Sequence, residues 1–469
     1  MIYTRTYFVL LCLLFSFKST FAFTSNFPSG TVLSKSRVSV NSKHGSQLQM
    51  NKEQGGTVQD IYRKTVSGIL GAMVLAQPFS PLLHIDQAIA ADYKVEGSKY
   101  SMGKSLNAPT GSGTRVNKDA DSLLRYGLPI SSKEARTLQA TVESIKDDIR
   151  IKRWGPAIGS VQKARNILTK QEAVLLKAVR KSDQEAGKAQ IAKLKTLLDP
   201  LEEVLGSKEG SGTVQEREKL DQAYAAQELV ASAVGDLEQL MVPEGFFREI
   251  PEEYEGLPYL QGRAQVEMVI VKGPDDEDGK FNVEGTLYDE CRLTLTLDGY
   301  NAPITAGNIM DLVDKGFYNG LQIIRSDGFV VQTGDPDPES NKVDGYIPKG
   351  SSQVRTIPLE ISVVGDKELL YGATTEDDGR GFVPTVLPFQ AYGALGMARS
   401  EGEADSASSQ FFFLLFDSDL TPAGKNLLDG RYTEFGYVTT NADILKDVKE
   451  GDIIQSAKIL NGKDRLVQP

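Results

Sequence analysis

The sequence predicts a multi-domain α + β protein, an N-terminal α-helical bundle followed by an antiparallel β unit. Between residues 117 and 242 apolar residues recur at three- and four-residue steps, the period of a helix with one buried face. Beyond a proline-containing connector at 243–262 the period falls to two, as in strands with one inward face. At 469 residues the chain has room for two or three such units.

Residues 1–90 read as a series of addresses. Arg5, the apolar run Tyr7 to Phe17 and the small residues ending at Ala22 predict a signal peptide over 1–22. Residues 23–62 have the composition of a plastid transit segment, rich in Ser and free of Asp and Glu as far as residue 50. Arg63-Lys64, the apolar stretch Val66 to Leu83 and Ala88-Ile89-Ala90 predict a thylakoid lumen targeting signal over 63–90. This order resembles import into a plastid of secondary origin, so the expected destination is the thylakoid lumen. Pro78, Pro81 and polar Ser and Gln argue against a stable membrane span, leaving a mature chain that is soluble or peripheral to the thylakoid membrane. Arg63-Lys64 is not a twin arginine, and the export route stays open. Residues 91–116 hold many Gly, Ser, Lys and Asn and read as a flexible arm.

The helical bundle spans 117–242. Leu138, Val142, Ile145 and Ile149 mark one stripe, with Ser131 and Glu134 as a capping box before it. Ile158, Val161, Ala164, Leu168, Leu175 and Val179 mark a second. A third runs through Ile191, Leu194, Leu198, Leu201 and Leu205, interrupted at Pro200, which would suit a first helical turn after Asp199. Thr213 and Glu216 predict a cap for the fourth stripe, Val230, Val234, Leu237 and Met241. Four helices with short breaks suggest an up-and-down bundle, and the breaks argue against a long coiled coil. The stripes are read as core: no Glu-x-x-His pattern faces them.

From 263 to 469 strands are expected at Arg263 to Val271 and Arg292 to Leu297, with a short helix from Thr305 to Lys315. The acidic run Asp275 to Gly279 reads as a hairpin tip, since it lacks the later carboxylates of a calcium loop.

Composition removes several chemistries. The net charge of −11 argues against a nucleic-acid partner. Without the leader the balance is 44 basic to 60 acidic side chains, about −16, which favours solubility and cationic partners. His44, His84 and Cys12 all lie in the leader, leaving Cys291 as the remaining thiol. A mature chain of this kind has no Ser-His-Asp triad, no His-ligated zinc and no internal disulfide.

Three blocks then stand out. Residues 325–335 read Arg-Ser-Asp-Gly-Phe-Val-Val-Gln-Thr-Gly-Asp, 408–413 read Ser-Ser-Gln-Phe-Phe-Phe, and 427–436 read Leu-Leu-Asp-Gly-Arg-Tyr-Thr-Glu-Phe-Gly. In this order they resemble the substrate face of a cyclophilin, the family of peptidyl-prolyl cis-trans isomerases. The resemblance implies a cyclophilin-type closed antiparallel β-barrel with capping helices, proline-containing client polypeptides, and no cofactor or metal.

The chemistry asked of such a face is modest. Amide resonance opposes rotation about a prolyl bond with a barrier of roughly 18–20 kcal/mol. An apolar socket that grips the ring, and a fixed donor near the prolyl nitrogen, would stabilise the twisted state. A permanently cationic guanidinium suits that donor role. By the resemblance, Arg325 is the catalytic donor and Phe329, Val330, Phe412 and Leu428 line the socket. Gln332 and Gln410 would bond the client backbone, with Ala398 and Arg399 as the edge that pairs with it. Leu427 and Tyr432 complete the expected binding residues. Phe435 reads instead as core.

Some positions depart from the family. Ile323-Ile324 stands where Phe-His is usual, Val330 for Met, Arg399 for Asn, Leu427 for Trp and Tyr432 for His. Leu427 argues against cyclosporin binding. A longer, partly acidic segment from Pro336 to Gly381 replaces the expected Gly-rich loop.

Further runs narrow the resemblance: Arg125 to Ile130, the Pro-Glu-Glu-Tyr of the connector, and Leu297 to Pro303. With the arginine block they are similar to the large two-domain thylakoid-lumen cyclophilins of plants and algae. That group implies a helical domain lying over the barrel, weak or masked isomerase activity, and assistance in photosystem II assembly and repair through lumenal loops of its subunits. A non-catalytic peptide-binding chaperone and a regulator of a membrane phosphatase stay open as alternatives.

Overall fold

The computed structural model describes residues 117–469 apart from 209, 211, 277–278, 339–343, 382 and 417–425. The leader and the arm at 91–116 lie outside the described residues, as does part of the acidic run at Asp275 to Gly279.

Six helices precede the sheet: α1 (Ala120–Tyr126), α2 (Lys133–Arg150), α3 (Trp154–Lys170), α4 (Glu172–Ala178), α5 (Gln184–Gly206) and α6 (Val214–Gln239). α2 packs against α3 and α6, and α5 against the same two, closing a four-helix ring. The stripe residues bury themselves at its centre, Leu138, Val142, Ile145 and Ile149 among them. Three sequence expectations need correction. The cap of α2 is Ser132, whose hydroxyl accepts the N–H of Ala135 at 3.2 Å, one residue later than expected. The second stripe spans two helices, because the chain breaks at Gln171 and Leu175 belongs to α4. Pro200 does not begin a helix but sits inside α5. A proline there costs about 3 kcal/mol. Full burial of Ile191, Leu194, Leu198 and Leu201 around it outweighs that cost, at about 1.5–3 kcal/mol for each side chain. The Thr213 cap is present: its hydroxyl accepts the Glu216 N–H at 3.1 Å while Glu216 accepts from Gly212 at 2.7 Å.

The second half is built on antiparallel strands. An eight-stranded sheet runs in the order β13 (Ile453–Asn461), β2 (Arg263–Val271), β5 (Cys291–Asp298), β12 (Glu434–Thr440), β10 (Ala394–Met397), β11 (Phe411–Leu414), β7 (Val330–Thr333), β6 (Ile323–Ser326). Its outer strands meet where Gln322 bridges Ile453, with Ile323 N–H donating to Asp452 and Ile454 N–H to Leu321. β1 (Tyr259–Leu260), inside the connector at 243–262, pairs with β14 (Leu466–Val467). Helix α7 (Pro303–Asp314) lies against β1 and β13 and is buried along nearly its whole length. Phe411, Phe413 and Phe435 fill the core beneath it, as expected for Phe435. The Cys291 thiol is buried there, and desolvation pushes it up to about 12, which leaves it inert.

The long segment Pro336 to Gly381 carries its own short pairing, β8 (Glu360–Ile361) with β9 (Leu370–Tyr371). Glu360 accepts the N–H groups of Ile304 and Thr305 and the Thr305 hydroxyl, so it caps α7 from a distant segment. Three hydrogen bonds join the helical half to the sheet near the 298–302 turn. Arg263 donates to the carbonyl of Leu124, Asn301 to that of Gly127 at 2.8 Å, and Gln239 to the Tyr300 hydroxyl at 2.7 Å. Among the described residues no helix is long and apolar enough to cross a membrane.

Candidate active site

Strand register brings three of the expected site residues, Arg325, Gln332 and Phe412, into one row. Arg325 pairs with Gln332 across β6 and β7, Gln332 with Phe412 across β7 and β11, and Phe412 with Gly396 across β11 and β10. Directly opposed residues share a face of the sheet, so cation, amide and ring stand in one row. Alternation fixes which face it is. Phe411 and Phe413 turn into the core, while Phe412 turns to the opposite face.

Around Phe412 the structure gathers Val330, Ala398, Leu428 and Tyr432, all half-buried. Phe389 lies nearly parallel to its ring at 5.9 Å, and Tyr432 meets it edge-on at 5.8 Å. Phe412 is therefore only 6% exposed. Leu123 and Leu124 of α1 join the same apolar cluster, which ties the helical half to the underside of the site. Phe329 stands outside the cluster. It is 58% exposed and stacks on Phe416 at 5.7 Å. Leu427, 64% exposed, also sits at the rim.

The polar groups are engaged with one another. Gln332 Nε2 donates to Gln410 Oε1 at 2.9 Å, and Gln410 Nε2 donates to Asp344 Oδ1 at 2.6 Å. The Gln410 carbonyl accepts from Ala398 N–H at 3.0 Å. Arg399 donates to the carbonyl of Arg431 at 3.0 Å and lies 5.2 Å from the Tyr432 ring centre. Arg325 donates through Nε and Nη2 to Asp327 Oδ2, at 2.7 and 2.5 Å. Partial burial alone would raise the Asp327 carboxyl. The N–H groups of Val330 and Phe329, with the Arg325 guanidinium, outweigh it and hold the group below its ordinary value.

Behind the socket lies a cavity of about 10 Å³, room for about one water, lined among others by Phe389, Asp429, Tyr432 and Glu434. Burial pushes Asp429 up to about 7, against the N–H groups of Phe389 and Asn426 that donate to it. Burial also holds Glu434 well above the carboxylate range, with the charges of Asp298 and Asp429 adding to the effect.

Sequence reading assigned no role to Asp327, Phe389, Gly396 or Phe416. The Asp-Gly pair at 327–328 is a turn signal that could have drawn attention to Asp327. For Phe389 nothing local does so, since its contact with Phe412 exists only in three dimensions.

Residues 283–466 match the family described as cyclophilin type peptidyl-prolyl cis-trans isomerase/CLD. Residues 119–242 match the peptidyl-prolyl cis-trans isomerase CYP38-like, PsbQ-like domain. The chain is 41% identical over 355 residues to the chloroplastic peptidyl-prolyl cis-trans isomerase CYP38 of Arabidopsis thaliana, covering 75% of this chain and 76% of that protein. It is 43% identical over 352 residues to a candidate thylakoid lumen peptidyl-prolyl cis-trans isomerase of Synechocystis sp., covering 74% and 84%. A solved cyclophilin type isomerase of Cryptosporidium parvum is similar at 19% identity and a TM-score of 0.27, over 42% of this chain and 98% of that one. The chain belongs to the cyclophilin-type peptidyl-prolyl cis-trans isomerases, with a PsbQ-like helical domain ahead of the isomerase domain.

Proposed function

We propose that this chain is a thylakoid-lumen peptidyl-prolyl cis-trans isomerase that assists photosystem II assembly and repair and turns over slowly when intact. The row Arg325, Gln332, Phe412 carries the reading, because it sets a permanent cation and an amide beside an apolar ring on one face. A client proline would rest against Phe412, Val330 and Leu428. Gln332 and Gln410 would exchange their mutual bond for the client backbone, and Arg325 would favour the lone pair of the prolyl nitrogen in the twisted state. The chloroplast and thylakoid-lumen names of the relatives, together with the three-part leader, support the location. The photosystem II role and its lumenal-loop clients follow from the resemblance of the two-domain arrangement. We also read the eight-stranded sheet as a closed barrel, supported by the Gln322–Ile453 bridge between its outer strands.

Slow turnover is supported by two observations. Arg325 is already occupied by Asp327, and the ring of Phe412 is nearly covered. The second of these also favours the alternative of a peptide-binding chaperone or regulator that holds a client without isomerising it. The test is prolyl isomerisation by the intact chain and by Arg325→Ala. The catalytic reading expects a loss of roughly 10²-fold, down to the uncatalysed rate. An unchanged rate with client binding retained would select the alternative.

A further inference from the structure

We propose that Asp327 is a clasp that restrains Arg325, lowering isomerase activity until a client displaces it. The inference rests on the reading of Arg325 as the donor to the prolyl nitrogen. Its basis is the division of labour between the two oxygens of one carboxylate. Oδ2 accepts both Nε and Nη2 of Arg325. Oδ1 accepts the N–H groups of Phe329 at 3.0 Å and Val330 at 3.1 Å. The carboxylate is thus fixed by the β6–β7 turn rather than free at a rim. Gly328, with φ +81, lets the chain turn tightly enough for those N–H groups to reach back.

Among the described residues the Arg325 guanidinium donates to Asp327 alone, and Gln332, its register partner, is turned toward Gln410, to which its Nε2 donates. Two guanidinium N–H groups are therefore committed, and the carboxylate cancels much of the field that would act on the prolyl nitrogen. The pair is exposed, 46% for the arginine side chain, so a client can draw the guanidinium away from the fixed carboxylate at small cost.

Asp327→Asn tests this, because the amide oxygen can still accept from Phe329 and Val330 while the charge is gone. The assay is isomerisation of a chromogenic X-Pro tetrapeptide by the full chain. The expected result is a rise in kcat/KM of up to about fivefold, the scale of an exposed ion pair. Added salt should raise the unsubstituted rate, by screening the clasp, and leave the variant flat. Arg325→Ala separates the two readings. If that variant abolishes turnover while Asp327→Asn lowers or leaves kcat/KM, the clasp is overturned and Asp327 is instead a productive positioning residue or idle. If Arg325→Ala changes nothing, the donor reading itself fails. Asp327→Ser, whose hydroxyl can also accept in the turn, guards against a folding defect and should reproduce the rise.

Discussion

Gly396 lies directly opposite Phe412 in the β10–β11 register, and a Cβ on that glycine would stand 2.1 Å from the ring's Cζ and 2.8 Å from Cε1 of Phe389. The bare backbone is what lets two aromatic rings lie down against the sheet. Gly396→Ala should overpack the site, costing about 1–3 kcal/mol of stability. Denaturant unfolding measures the loss. Prolyl isomerisation should fall with it, since Phe412 cannot keep its place.

Stability should decline between about pH 4 and pH 7. Asp429 has its folded pKa raised to about 7 from an ordinary 3.8, so in that window the native state holds a proton that the unfolded chain has released. Its contribution is full below the unfolded value and is lost as pH rises through the folded one. Glu434 acts in the same direction. Carboxyls held low, such as Asp311 and Asp327, act in the opposite sense only at more acid pH. Melting temperatures from pH 4.5 to 8 should fall, and Asp429→Asn should flatten the slope. A stability that climbs across that window would contradict the assignment.

Arg263 holds the two halves together. It donates twice to the fully buried Asp298 and once to the Leu124 carbonyl of α1. Arg263→Ala would leave that carboxylate without its cation, at about 3–5 kcal/mol. Hydrogen exchange should then rise first across residues 120–128, where Leu123 and Leu124 lose their seat beside Phe389. Uniform loss of protection through the helices would point instead to global unfolding.

Much of the fold was legible because periodicity is local. β2 runs from Arg263 to Val271 as the alternation predicts, and the Thr213 cap and the Leu138 to Ile149 stripe stand where they were expected. Local rules place Pro200 at a helix start, but burial of the surrounding Ile and Leu side chains prevails; they also place a cap at Ser131, where the neighbouring Ser132 takes the role. Around the site, sequence supplied the residue types. It could not supply their spacing in depth.

By itself the sequence determined the helical and strand periods and their order along the chain, and its resemblance named the cation, amide and aromatic residues proposed to serve a prolyl bond. Only the tertiary structure decided that Phe329 and Phe412 part company, one on the rim against Phe416 and the other beneath Phe389. It also decided that Arg325 is met by Asp327 rather than by Gln332. The reason is physical: side-chain identity and local period are written along the chain. Strand register and ring contacts between segments far apart in sequence exist only once the sheet has closed those distances.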